Sequence, residues 1–164
     1  RLPAVVEEEL GAIWHPDLDA MLRAVDIVSI NCPHTAETHH LIDARRLRLL
    51  RPHVYLINTA RGEIVDEAAL VEALETGIIA GAGLDVFEHA PVVDKRLLAL
   101  SNVVLLPHMG SATVEGREAT GAKVIANIRA WVDGHRPPDQ VLEGWTGIRH
   151  GRWRNGPLME RLCP

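Results

Sequence analysis

Four short apolar runs, each bounded by Pro or Gly, constrain the fold more than any other feature. They are Val25 to Asn31 (VDIVSIN), Val54 to Thr59 (VYLINT), Ala80 to Phe87 (AGAGLDVF) and Val103 to Leu106 (VVLL). Helix-period segments separate them, and alternation of the two patterns is the signature of βα units around a parallel sheet. The runs are apolar on both faces, so the sheet is expected to carry helices on each side. Asp43 to Leu50 is a helical segment with Leu47 and Leu50 inward and Arg45, Arg46 and Arg48 largely outward. Asp66 to Glu75 opens on a capping Asp and spaces Ala69, Leu70, Ala73 and Leu74 for a core. The longest helix is expected from Ala112 to Val132, with Ser111 as its N-cap, Val124, Ile125, Ile128 and Trp131 on one face, and Gly134 at its end.

Composition narrows the function classes. A net charge of −5 and a pI near 6.0 argue against a nucleic-acid partner, which needs clustered Lys and Arg to displace counterions. Aromatic residues make up 4%, too few for a base-stacking platform. Cys32 and Cys163 are too few for a disulfide framework or a metal cluster, and the nine histidines show no pair at metal-ligand spacing, so no metal site is expected. No apolar run approaches the roughly 20 residues that span a bilayer, and Arg1 to Leu10 shows no signal pattern, so a cytoplasmic chain without membrane partners is expected. From Val141 onward periodicity stops, and the charge changes sign with four basic against two acidic residues. The expected organisation is therefore one domain over 1–140 and an irregular tail over 141–164. Because the first residue is Arg, the sequence is also read as a fragment that begins inside a longer product.

Three polar residues stand at the ends of the apolar runs. Arg61 lies in NTARG after the second run, where ligands of open α/β sheets bind and where its planar fork can hold a carboxylate; an Arg that steadies a surface loop explains the position equally well. Asp85 follows GAGL, a costly place for a carboxylate unless it is hydrogen-bonded or functional, although capping of the next turn is the plainer account. His108, in LPHMGS, is available for proton transfer near neutral pH, with a structural histidine at a helix start as the alternative. The GAG of the third run is not a dinucleotide fingerprint, since the third Gly of GxGxxG falls at Val86. GxSxG, P-loop, CxxC and HExxH motifs are absent from the sequence.

With the words around these residues, INTARG, AGAGLDVFEHAP and NVVLLPHMGSAT, the chain from about Arg1 to Val141 resembles the D-isomer-specific 2-hydroxyacid dehydrogenases, nearest to their glyoxylate and hydroxypyruvate reductase members. SINCPHTAETHHLI, Ser29 to Ile42, is similar to that family's cofactor-contacting loop. The resemblance implies the later part of a Rossmann-type domain, a partial parallel α/β sheet followed by a long linking helix. It also implies hydride transfer between NAD or NADP and a small 2-oxo or 2-hydroxy acid. Arg61 would then bind the substrate and His108 would carry the proton. Asp85 would hold the nicotinamide side, Thr59, Ala60, Met109 and Gly110 would line the cofactor, and Cys32 and Pro33 would lie beneath its adenosine half. Family members usually pair through this domain, so a homodimer is implied, with the long helix serving either as its contact or in an intramolecular role.

Two departures qualify that expectation. The family's GxGxxG turn does not occur in the 164 residues, and the place of its His-pairing Glu, before the proline of the DVF word, is taken by Ala90. Glu88, two residues earlier, substitutes only if the loop rearranges. The chain on its own is therefore expected to be inactive, and a non-catalytic scaffold that binds a nucleotide or a protein is the alternative function.

Overall fold

A computed structural model describes residues 3–139, which fall into two compact units divided between Gly110 and Ser111. The tail expected over 141–164 lies outside the described residues. In the first unit, α1 (Ala4–Glu9) and α2 (Leu18–Leu22) precede four strands: β1 (Ile27–Ile30), β2 (Tyr55–Asn58), β3 (Gly81–Leu84) and β4 (Val103–Leu105). Between the strands lie α3 (Ala44–Leu47), then a 3-10 turn (Gly62–Ile64) with α4 (Glu67–Glu75), then α5 (Lys95–Ala99). All strand pairs are parallel in the order β1-β2-β3-β4, with Ile30, Asn58 and Leu84 in register at the carboxyl end and Leu84 beside Leu105.

Each of α2 to α5 starts on an aspartate. The carboxylates of Asp17, Asp43, Asp66 and Asp94 accept the N–H groups of Asp19, Arg46, Ala69 and Arg96, which satisfies donors that a helix start leaves unpaired. One apolar cluster joins these helices to the sheet: Leu22, Leu47, Leu70, Val71, Leu74 and Leu97 share it with Val28, Ile30, Leu56, Ala82 and Leu84. The expected inward faces of α3 and α4 are therefore found. Asp19 ties α2 to α3 through Arg45 and Arg46, the latter at 3.0 Å, and these guanidinium hydrogen bonds lower its pKa from 3.8 to about 2.

The parallel sheet is as expected, but within this unit the helices cover one of its faces. Side chains alternate sides along a strand, and the set that opposes the core, Ile27, Tyr55 and Val104, is 52% to 64% exposed. Connectivity explains this. Right-handed crossovers between strands laid down in one direction carry every connection to the same side, and helices reach the second face only where the strand order reverses. The order β1-β2-β3-β4 contains no reversal.

In the second unit α6 (Val114–Val132) is the expected long helix. Its cap is Thr113, whose hydroxyl accepts the Gly116 N–H at 3.0 Å, and not Ser111, which lies outside the first turn. None of its residues is buried, and Val124, Ile125, Ile128 and Val132 are more than half exposed. Asp133 caps the far end and Gly134 turns the chain with φ 74°. Asp139 then folds back on Lys123 (2.7 Å) and Asn127 (2.9 Å). Among the described residues no helix is long and apolar enough to cross a membrane, and no group of three or more His, Cys, Asp or Glu is arranged to hold a metal ion.

Candidate functional site

The carboxyl ends of the four parallel strands place the candidate residues along one edge of the sheet. Beyond β2 the chain turns at once. Asn58, 1% exposed, accepts the Ala60 N–H at 3.1 Å and donates to the Arg61 carbonyl at 2.9 Å, so one buried amide fixes Thr59, Ala60 and Arg61. The Arg61 guanidinium is exposed and donates to the Ala60 carbonyl at 2.6 Å. Gly62 lies against the next strand-end loop: a Cβ there would stand 2.0 Å from the Phe87 carbonyl carbon. Only glycine permits that approach.

Beyond β3, Asp85 is 3% exposed and accepts two consecutive backbone donors, Met109 N–H at 2.7 Å and Gly110 N–H at 2.9 Å. The residue before them, His108, has a left-handed backbone with φ 55°. Asp85 thus bonds the loop that carries His108.

Two cavities meet at Arg61. One, about 410 Å³, has Arg61 and His108 in its wall together with Phe87, Ala90 and Pro107. The other, about 660 Å³, is lined by Cys32, Pro33, Thr59 and Ala60 as well as Arg61. Arg61 and His108, drawn from different strands, therefore face one space, and the residues expected beneath the cofactor face an adjoining one. Met109 is 46% exposed beside Gly110.

Ala90 lines the cavity of His108, whereas Glu88 faces elsewhere. The Glu88 carboxylate contacts His40 Nε2 at 2.7 Å and accepts the Glu67 N–H at 3.0 Å; in return the Glu67 carboxylate accepts the Glu88 N–H at 2.9 Å. Burial pushes the Glu88 pKa up, but the Glu67 N–H and the His40 ring outweigh it and hold the carboxyl below its usual value. Glu88 is thus committed to a separate cavity of about 380 Å³. His39 stacks on His40 with ring centroids 4.1 Å apart, outside the Arg61 and His108 cavity.

Sequence reasoning missed Asn58, Gly62 and Glu63. The first two stand in the NTARG word beside Arg61, and a buried amide at a strand end was the available signal. Glu63 is the acidic residue in the walls of both the Arg61 cavities, and nothing in its spacing marks it.

Residues 2–110 match the family model for the D-isomer specific 2-hydroxyacid dehydrogenase NAD-binding domain. The chain is 47% identical over 135 residues to a glyoxylate reductase of Thermococcus litoralis, an alignment that takes in 82% of this chain and 40% of that protein. A solved NADPH-dependent glyoxylate/hydroxypyruvate reductase of Sinorhizobium meliloti, in complex with NADP and malonate, is 48% identical with a TM-score of 0.74, covering 80% of this chain and 40% of that one. The holo form of Rhodotorula graminis D-mandelate dehydrogenase gives a TM-score of 0.80 at 33% identity, covering 86% and 42%. The chain thus spans about two fifths of the length of the relatives it matches.

Proposed function

The chain belongs to the D-isomer specific 2-hydroxyacid dehydrogenase family, and from that premise we propose that it serves hydride transfer between a nicotinamide dinucleotide and C2 of a small 2-oxo or 2-hydroxy acid of the glyoxylate or hydroxypyruvate class. The observation that carries this reading is the shared cavity of Arg61 and His108. A guanidinium fork fixes a carboxylate by two parallel hydrogen bonds, and an imidazole in the same space can give a proton to the neighbouring carbonyl oxygen. The small side chains of Cys32, Pro33, Thr59 and Ala60 around the adjoining opening suit a flat, extended cofactor, NAD or NADP, with Met109 and Gly110 on its nicotinamide side. Such a cofactor supplies the hydride, while this chain's residues orient the acid and move the proton. A cytoplasmic setting and a homodimer that uses the exposed apolar residues of α6 belong to the same proposal.

The test is a chimaera in which the chain follows the N-terminal portion of the Thermococcus litoralis relative, assayed by oxidation of NADH and NADPH with glyoxylate and with hydroxypyruvate. Turnover that Arg61→Ala or His108→Ala abolishes supports the proposal; a folded, cofactor-binding chimaera that turns over neither acid overturns it. Ala90 favours a second reading, a scaffold that binds a dinucleotide without catalysis, because His108 then has no carboxylate at that place to orient it. Saturable binding without turnover in the same assay selects that reading.

A further inference from the structure

We propose that Asp85 is a positioning residue that sets the backbone of His108 by filling, with its carboxylate, the anion pocket made by the Met109 and Gly110 N–H groups. The proposal rests on the proton-carrying role given to His108. It assigns to Asp85 a task different from contact with a nicotinamide.

Three observations carry it. Asp85 is 3% exposed, and a carboxylate so deeply buried needs compensation. Its two oxygens go to two successive backbone donors, one each, at 2.7 and 2.9 Å. Consecutive N–H groups that follow a left-handed residue form a concave anion site, and here the resident anion belongs to the protein itself.

Second, His108 holds φ 55°, a conformation that a residue with a Cβ adopts at a cost and keeps only where its surroundings impose it. The bonds to the next two residues are what imposes it. Third, a Cβ at Gly110 would stand 3.1 Å from Asp85 Oδ2, so the loop and the carboxylate are fitted closely at the point of contact. Without the carboxylate, His108 relaxes to negative φ and its ring leaves the cavity that it shares with Arg61.

The experiment is NMR on the 164-residue chain, which needs neither cofactor nor turnover and so stands apart from the proposed activity. In the unaltered protein, through-hydrogen-bond coupling is expected from the Met109 and Gly110 amide nitrogens to the Asp85 carboxyl carbon. In Asp85→Asn, amide exchange at Met109 and Gly110 is expected to accelerate at least about tenfold, while the Ala60 amide, held by Asn58, stays unchanged. The His108 ring resonances should move to averaged positions, a signature that general loss of stability does not produce. In a His108→Gly background, where φ above zero carries no strain, Asp85→Asn should alter exchange of the two amides just as much but cost more global stability than it does beside His108, where relaxation to negative φ returns the strain. Coupling absent in the folded wild-type chain overturns the proposal whether or not the variant folds. So does Asp85→Asn that leaves the His108 ring signals in place, or a stability cost independent of residue 108.

Discussion

Arg61 is presented by its backbone, and among the described residues its guanidinium forms no ion pair with a carboxylate, so its fork is available to a ligand. In the chimaera, Arg61→Lys is expected to lower kcat/KM toward glyoxylate by about tenfold or more, because an ammonium cannot make two parallel bonds to a carboxylate. Steady-state kinetics check this. Ala90→Glu places a carboxylate in the His108 cavity. A carboxylate favours the charged imidazole, raises its pKa, and keeps it protonated to higher pH, so the acid-donor limb of the pH-rate profile should move upward. Reduction near pH 7 should quicken, by up to the about 10²- to 10⁴-fold that a well-placed general acid contributes. Glu88→Gln should leave that limb where it is, since Glu88 faces His40, whereas Glu63→Gln shows whether the other acid of the cavity acts on His108. Gly62→Ala drives a Cβ into the Phe87 backbone and should destabilise the chain by about 1–3 kcal/mol in urea denaturation. The strand-end positions of Arg61, Asp85 and His108 were legible because polar residues at the ends of apolar runs are conspicuous. That Asp85 bonds amides 24 and 25 residues away, and that Glu88 is spent on His40, was not, because those partners are brought together by strand pairing and loop packing.

At the level of elements, the capping aspartates did more to define helix starts than hydrophobic period did. Asp66→Ala, which frees the Ala69 N–H, should cost about 1 kcal/mol of stability by the same denaturation experiment. Asp43 and Asp66 were readable because apolar periodic segments follow them; α2 and α5 were not read from the sequence, although Asp17 and Asp94 mark where they begin. The α2–α3 link titrates. With its pKa lowered from 3.8 to about 2, Asp19 contributes stability that is complete above the unfolded value and is lost as pH falls through that interval. Asp19→Asn should flatten that part of a stability-against-pH curve and leave neutral behaviour nearly the same, measured by thermal melts between pH 2 and 5. The four strands were legible from apolar runs, but which faces would be covered was not. Continuous hydrophobicity reports that a strand favours burial, whereas coverage within one unit follows from the order in which strands are laid down.

For the whole molecule, the 164-residue chain contains residues suited to the two flanks of a dinucleotide but no GxGxxG turn to neutralise its pyrophosphate. Calorimetric titration should therefore show no submicromolar affinity for NADH or NADPH, and tight binding of either would refute this. Consecutive pairing of the strands also orders how the site is built and lost. Among the described strands every pairing joins neighbours in the sequence, so the sheet can extend one βα unit after another from β1 to β4. β4 is three residues long and, among the described residues, pairs only with β3, and none of its residues is fully buried. Its detachment breaks that one strand pairing. That event would separate His108 from Arg61 while the Asn58 turn stayed closed, so amide exchange is expected to be faster at Leu106, which bonds Leu84, than at Ala60, and equal rates at the two would remove any difference in lifetime between the acid-binding and proton-handling halves of the proposed chemistry.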